Sequence, residues 1–231
     1  GGGSDSLKME SVRLMVFERE QVKLYDNWNP SGLRGTGSVD FEVTDAFVPE
    51  GRWIALGAIT PTIDAPLYRF PFFGLLASCI SAVSLGIARR AIDEFVVLTR
   101  GKVALGQKET VGNDAVANSA LARSEADLAA SRAYMYDEVS RTWGKVAAGD
   151  DASLEDRRKI RLAAAYGAER SATAVDSLYT AGGGSSVHWD NPLQRCFRDV
   201  HVVTQHAMAS PANFALAGGF KLDDSDATGM F

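Results

Sequence analysis

Residues 71–101 read PFFGLLASCISAVSLGIARRAIDEFVVLTRG, a long apolar run with proline at its start and glycine at its end. Proline is tolerated in the first turn of a helix and glycine is favoured just past the last turn, so this run predicts one continuous helix. About thirty residues at 1.5 Å each give a rod of about 45 Å. Serine and glycine dilute the apolar character, so we expect no membrane span.

Two more helical segments follow this run. Residues 112–148 are rich in Ala, Glu, Arg and Leu, which favour helix, and Gly149 closes the segment. The tetrapeptide Ser153-Leu154-Glu155-Asp156 resembles a capping box, in which the first and fourth side chains satisfy free backbone N–H groups. It predicts a third helix that runs to about Thr180.

A fourth helix is predicted after a glycine-rich break. Asn191-Pro192 combines a good N-cap with a first-turn proline, and the pattern extends to Ala209 or Ser210, ahead of Pro211. Four long helices of this kind indicate a bundle. The predicted fold class is therefore mainly α, with a C-terminal four-helix bundle over residues 58–222.

The region before the bundle is strand-like. Residues 11–17 and 38–43 alternate polar and apolar side chains, residues 27–37 (NWNPSGLRGTG) predict a loop, and residues 47–51 predict a strand that stops in a turn. Two or three strands are marginally stable alone. Residues 10–57 are therefore predicted to be a partial β domain.

Composition narrows the functional classes. The chain has 231 residues and a net charge of −5, which argues against a general binder of nucleic acid or anionic membranes. Two cysteines predict reduced thiols in a cytoplasmic protein, and three histidines without a cysteine pair predict no metal site. Residues 1–9 are typical of a linker or tag, and residues 223–231 of an acidic tail.

Two segments of the bundle are candidate sites. The stretch Ala181–Ser186 (AGGGSS) can bring its backbone N–H groups close to a ligand, or it can be a plain connection between helices. His206, beside Gln205, can act as a general base or a hydrogen-bond donor, or it can cap a solvated helix face.

Two further candidates lie at a helix end and in the β region. Arg100 can contact a phosphate, or it can interact with the dipole of the helix that it ends. The loop of residues 28–37 carries Trp28, and Ser38 follows it directly. These side chains can contact a planar ligand, or they can pack within a β hairpin.

The motifs taken together resemble a known superfamily. Residues 32–38 (GLRGTGS), followed by Phe41-Glu42-Val43, resemble the middle β domain of the acyl-CoA dehydrogenase superfamily. Residues 181–186 and the later motif PLQRxxRDxHxxTQH (residues 192–206) look like one branch, the oxygenase components of two-component flavin-dependent monooxygenases. The family also has an N-terminal helical domain and a fuller β domain, which this sequence does not contain.

The resemblance implies a cofactor, a reaction and a set of roles. Such proteins receive reduced FMN or FAD from a separate flavin reductase, form a flavin C4a-hydroperoxide with O2, and hydroxylate an aromatic or heteroatom substrate. The resemblance implies that His206 controls the peroxide or the substrate proton. It implies that Arg100 contacts the phosphate of the flavin bound by a neighbouring subunit. It assigns the remaining flavin contacts to Gly183, Gly184, Ser185, Trp28 and Ser38.

The resemblance also implies a homotetramer, and it leaves two alternatives. An acyl-CoA dehydrogenase would use FAD and a carboxylate base, which in most members is a glutamate after the glycine-rich turn. Residues 187–210 contain no glutamate, which disfavours this reading. The other alternative is a truncated helical module that assembles without catalysing a reaction.

Overall fold

The computed structural model describes residues 12–56, 61–103 and 105–223. These residues form two compact units. The first contains the chain up to Asn29 together with Arg34–Tyr68, and the second contains Pro30–Leu33 and the chain from Arg69 onward. The predicted linker at 1–9, the domain boundary between 57 and 58, and the tail beyond Asp223 lie outside the described residues.

The first unit contains four short strands in two antiparallel pairs. Strand β1 (Arg13–Met15) pairs with β4 (Trp53–Ala55), and β2 (Lys23–Leu24) pairs with β3 (Phe41–Glu42). The prediction of a strand at 47–48 was wrong, since β4 begins after the turn instead. The Arg52 N–H donates to the Pro49 carbonyl at 3.1 Å, and this turn returns the chain to β1.

The second unit is helical, which confirms the predicted fold class. The short helix α1 (Pro66–Arg69) spans the point in the chain where the first unit ends. The helices of the second unit are α2 (Phe72–Gly101), α3 (Ala115–Ala147), α4 (Leu154–Ala181), α5 (Pro192–Val203) and α6 (Ala212–Asp223). Helices α2 to α5 are the four predicted helices, and α6 was not predicted. Their shared core contains Ile92, Phe95, Val175, Leu178 and Leu193.

The predicted caps form at the helix ends. The Ser153 hydroxyl accepts from the Asp156 N–H at 3.2 Å, and the Asp156 carboxylate accepts from the Ser153 N–H at 3.0 Å. Asn191 accepts from the Leu193 N–H at 2.9 Å, as an N-cap does. Gly149 follows α3 with a φ of +99°, the left-handed conformation that glycine adopts without strain.

The prediction that the fourth helix reaches Ala209 or Ser210 was wrong, because α5 ends at Val203. Beyond it, the carbonyl of His206 accepts from the N–H groups of both Ala209 and Ser210 at 2.8 Å. The side chain of Asn213 also donates to the carbonyl of Ser210 at 2.9 Å. These turn bonds replace the helical ladder, so His206 lies in a turn after the helix.

Helices α2 and α4 pack closely because the residues between them are small. A Cβ atom at Gly167 of α4 would lie 2.6 Å from the Ser81 hydroxyl of α2, so a larger residue there would displace that hydroxyl. In the part of the chain that the structure describes, α2 is the one helix long and apolar enough to cross a membrane. A helix in the core of a soluble protein meets the same criterion, so the expected absence of a span stays a prediction.

Candidate functional site

The glycine-rich stretch forms a tight turn between α4 and α5. Residues Gly183–Val187 make a short 3-10 helix, and Gly183 has a φ of +57°. A Cβ at Gly182 would lie 2.2 Å from the Ser186 hydroxyl and 3.2 Å from the Leu178 carbonyl oxygen, so a larger residue here would force the serine side chain to move. Gly184 is exposed and nothing lies near the position of a Cβ there, so its backbone is open to a ligand.

The turn forms one wall of an open groove of about 510 Å³. Residues of helix α2 and of the start of α5 also line it. The lining combines apolar side chains with polar groups: Glu94, Val97, Leu98, Ser185, His188, Asp190, Asn191 and Pro192. Such a mixture suits a ligand with a flat apolar body and a polar edge.

Asn191 connects the turn to the helix that follows it. Its side chain donates to the Ser185 carbonyl at 2.9 Å while its oxygen caps α5. The N-terminal end of α5, where the helix dipole is positive, therefore lies at the groove. Glu94 is on the facing helix, and its carboxylate pairs with Arg90 at 2.5 Å.

A cation that was not among the predicted site residues contacts the glycine turn. The ammonium group of Lys102, which caps the C-terminal end of α2, donates to the Gly182 carbonyl at 2.5 Å. Its nitrogen also lies 3.5 Å from where a Cβ of Gly183 would be. Arg100, two residues earlier, is exposed in the last turn of α2. The signal in the sequence was the adjacent Gly101-Lys102 pair.

Trp28 and Ser38 belong to the first unit. Trp28 is half-buried. The Ser38 hydroxyl is exposed and lies 3.1 Å from the hydroxyl of Thr36, with which it shares a hydrogen bond. Their predicted contacts to flavin stay predictions.

His206 lies exposed in the turn after α5, and its ring is oriented by the backbone. Its Nδ1 atom accepts a hydrogen bond from the Met208 N–H at 3.1 Å. A nitrogen that accepts carries no proton, so this contact assigns the ring proton to Nε2 in the neutral imidazole. His206 therefore presents a donor on its outer edge.

The first residues of the GLRGTGS motif, and the serine before it, contact helix α5. The Leu33 N–H donates to the Asp199 carboxylate at 2.7 Å, and the Arg198 guanidinium donates to the Ser31 carbonyl at 2.7 Å. A Cβ at Gly32 would lie 2.3 Å from the Arg198 carbonyl oxygen, so the segment fits against the helix only with glycine. This explains physically why glycine stands at the start of the motif.

Two oppositely charged residues one turn apart on α5 form an ion pair. Arg195 and Asp199 form an ion pair at 3.4 Å, and Arg195 is exposed. Asp199 therefore interacts with both Arg195 and the backbone of Leu33. Because its carboxylate is engaged in these contacts, Asp199 is a poor candidate for a catalytic base. The guanidinium of Arg198 also lies over the ring of Trp189, 4.6 Å from its centroid.

Comparison with known families identifies this helical unit. Residues 78–211 match the model of the acyl-CoA dehydrogenase C-terminal domain, which is more than half of the chain. The chain belongs to the acyl-CoA dehydrogenase family. The match begins within α2 and ends just after the turn that carries His206, so it includes the whole groove.

Relatives of this acyl-CoA dehydrogenase family member include monooxygenases. It is 32% identical over 211 residues to indole-3-acetate monooxygenase of Pseudomonas putida, covering 91% of this chain and 54% of that protein. It is 30% identical to the flavin-dependent monooxygenase oxygenase subunit HsaA of Rhodococcus jostii, covering 85% of this chain and 53% of that protein.

A solved structure has the same architecture. XiaF from a Streptomyces species, in complex with FADH2 and glycerol, is similar with a TM-score of 0.82 and 25% identity. The match covers 91% of this chain and 56% of XiaF. The chain thus spans about half the length of the proteins that it resembles.

Proposed function

We propose that this chain is part of the oxygenase component of a two-component flavin-dependent monooxygenase, which hydroxylates an aromatic or heteroatom-containing substrate. The observation that carries the proposal is the groove between the glycine turn and α2. It lies within the region that matches the acyl-CoA dehydrogenase C-terminal domain. The names of the relatives, which are monooxygenases, support this reaction over acyl-CoA oxidation.

The residues around the groove fit reduced FMN or FAD. Val97, Leu98 and Pro192 offer apolar surface to a flat ring, while Ser185 and Asn191 offer polar atoms at its edge. The open backbone at Gly184 allows close approach, and Lys102 places positive charge beside the glycine turn. Arg100, exposed in the last turn of α2, supplies positive charge for the phosphate of a flavin bound by a neighbouring subunit. When bound, reduced flavin supplies the electrons that activate O2.

In this proposal the chain orients the reactants and holds a proton. His206 presents an Nε2–H donor, because its Nδ1 is occupied by the Met208 N–H. Such a donor can hydrogen-bond to an oxygen atom of the reacting species and, when the ring is the imidazolium, give it a proton. Gly183, Gly184 and Ser185 bring backbone groups to the flavin, and the apolar side chains of the groove cover part of its ring.

The proposal includes partners and a compartment. The name of the Rhodococcus jostii relative, an oxygenase subunit, supports a separate flavin reductase that delivers the reduced cofactor. We also propose a homotetramer and a cytoplasmic location. The Trp28 and Ser38 contacts to flavin belong to the same proposal.

The test is an anaerobic titration of the purified chain with reduced FMN and then reduced FAD, followed by mixing with oxygenated buffer. We expect saturable binding of one of these flavins, and after mixing a long-lived absorbing species distinct from oxidised flavin. A matched sample with free reduced flavin gives the uncatalysed oxidation rate. Reduction of bound oxidised flavin by an acyl-CoA without O2 would instead establish a dehydrogenase. Absence of binding to either flavin would contradict the proposal for this chain and support a non-catalytic assembly module.

A further inference from the structure

We propose that Asn213 and Arg161 are positioning residues for His206: they fix the turn after α5 and so hold the imidazole in the tautomer that carries its proton on Nε2. The inference rests on the proposed function, since that function gives the Nε2–H group its role. It concerns two residues that lie outside the groove, one on α6 and one on α4.

The turn that carries His206 is held by bonds to its own backbone. The His206 N–H donates to the carbonyl of Val203 at 3.0 Å, and the His206 carbonyl accepts from Ala209 and Ser210. The N–H of Met208 then points at the imidazole Nδ1, 3.1 Å away. The tautomer therefore depends on the position of the Met208 peptide, which depends on the shape of the turn.

Asn213 fixes that shape from inside the protein. Its side chain is nearly buried, at 3% exposure, and its amide nitrogen donates to the carbonyls of Ala207 and Ser210 at 3.0 and 2.9 Å. An amide nitrogen has two hydrogens, so both are used within this one turn. The two accepting carbonyls flank Met208 on either side, and the bonds hold the intervening peptides in place.

Arg161 decides which way the amide of Asn213 faces. Its guanidinium donates to the Asn213 side-chain oxygen, and an arginine has no acceptor that could bind the amide nitrogen instead. The nitrogen of Asn213 is therefore directed to the turn. Arg161 is 1% exposed, and burial lowers the pKa of its guanidinium.

The burial of this arginine is informative because it is costly. A buried charge must be compensated, and a well-packed apolar residue often serves stability equally well. An apolar side chain at 161 could join α4 to α6, but it could not orient the amide of Asn213. The geometry therefore favours a positioning role over a purely structural one.

The experiment reads the tautomer directly, without flavin. The chain is labelled with ¹⁵N-histidine, and the imidazole nitrogens are observed by NMR. The pH is set high enough that the rings are neutral and their chemical shifts no longer change with pH. The sequence has three histidines, so His206→Gln assigns the signals of His206. We expect the wild-type ring to have its proton on Nε2 alone.

Two variants separate orientation from stability. Asn213→Asp keeps an acceptor for Arg161 but has no N–H for the carbonyls of Ala207 and Ser210, and we expect it to give a mixture of both tautomers. Arg161→Met keeps the length of the side chain and frees the amide to rotate, and we expect the same mixture. The control is Val146→Ala, which shortens a buried side chain in a separate part of the core and should lower the melting temperature without altering the tautomer.

Two results would overturn the inference. One is a mixed tautomer in the wild-type chain, and the other is an unchanged Nε2–H tautomer in a folded Asn213→Asp or Arg161→Met variant. If one variant does not fold, the other decides. The NMR measurement uses no flavin. A chain that fails to bind flavin would therefore contradict the proposed function, while the tautomer of His206 would still be decided by the NMR spectra.

Discussion

At the scale of single residues, the two cations at the end of α2 have different environments. Lys102 is half-buried and bonds the Gly182 carbonyl, whereas Arg100 is exposed and open to a ligand. We expect Arg100→Ala to weaken the binding of reduced flavin by about 1–3 kcal/mol, through loss of one charge-assisted bond, and to leave the melting temperature unchanged. We expect Lys102→Met to lower both quantities, because it also releases the glycine turn.

Anaerobic titration and thermal unfolding measure these two effects separately. Arg123, an exposed arginine on α3, supplies a control in Arg123→Ala, which should change neither quantity. Equal flavin affinity for wild type and Arg100→Ala would reduce Arg100 to a charge at the end of a helix. An unchanged affinity in Lys102→Met would remove the turn contact from the site.

His206 is the residue on which the proposed chemistry depends most. We expect His206→Ala to fold normally, because the side chain is exposed, and to divert the oxidation from hydroxylated product to H2O2. The ratio of product to H2O2 in the flavin- and O2-supplied reaction is the measurement. His201→Ala is the matched control, since His201 lies on α5 shortly before the turn and pairs with Asp176 at 2.8 Å. Equal ratios in wild type and His206→Ala would remove His206 from the mechanism.

The candidate site shows what a sequence does and does not reveal at this scale. Local signals such as the glycines of the turn and the N-cap at Asn191 are visible because their partners are a few residues away. The contact of Lys102 with Gly182 spans 80 residues, and that of Leu33 with Asp199 spans 166. Such pairs follow from how the helices pack, which single-residue preferences do not specify.

At the scale of elements, the predicted helix boundaries lie within about three residues of the observed ones, except at the end of α5. The capping box at Ser153 lies entirely within four residues, so it can be read directly. The end of α5 depends on Asn213, whose side chain bonds the turn from the next helix. Helix α6 follows Pro211 and was not predicted as a separate helix, because its packing onto α4 leaves little trace in its own sequence.

The first turn of α4 carries a carboxylate with a strongly shifted pKa. The bond from Arg158 lowers the pKa of Glu155 from 4.5 to about 2, with a smaller contribution from Lys221 of α6. Because the pKa is lowered in the folded state, Glu155 adds stability above about pH 4.5, and this is lost as the pH falls towards 2. We expect Glu155→Gln to lower the melting temperature at pH 6 and to differ less from wild type near pH 3.

Melting temperatures measured from pH 6 to pH 3 test this dependence. Glu169→Gln is the control, since Glu169 is on the same helix and is paired with a neighbouring arginine at its surface. Its difference from wild type should stay small across the range. A constant deficit for Glu155→Gln at all these pH values would show that the ion pair is not its cause.

At the scale of the whole molecule, one face of α2 is apolar yet exposed. Its residues recur at alternating spacings of four and three, the repeat of a helix that packs along its length on another helix. They are Phe72, Leu76, Cys79, Val83 and Gly86, and we call them the α2 stripe. The sequence predicted this helix, but its apolar run gave no sign of which face the bundle would leave open.

The α2 stripe leads to a prediction about assembly. Large exposed apolar patches on soluble proteins mark interaction surfaces, and a homotetramer is part of the proposed function. We expect Val83→Glu to lower the molar mass in solution, measured by light scattering, because it introduces a charge into a buried helix contact. Leu24→Glu makes the same kind of change on strand β2, at a side chain that is 48% exposed, and should leave the mass unchanged.

Thiol labelling of the two cysteines tests the same surface, with Cys79 as the probe and Cys196 as the control for unfolding. Cys79 lies within the α2 stripe, so assembly should protect it from a thiol reagent and Val83→Glu should accelerate its labelling severalfold. Cys196 is buried, and burial raises its pKa to about 11, so it should remain unreactive in both folded proteins. Fast labelling of Cys79 in the wild-type chain, together with a monomeric mass, would show that the stripe is open in solution. Labelling of Cys196 as well would mean that the variant has unfolded, and a milder change, Val83→Ser, would then decide.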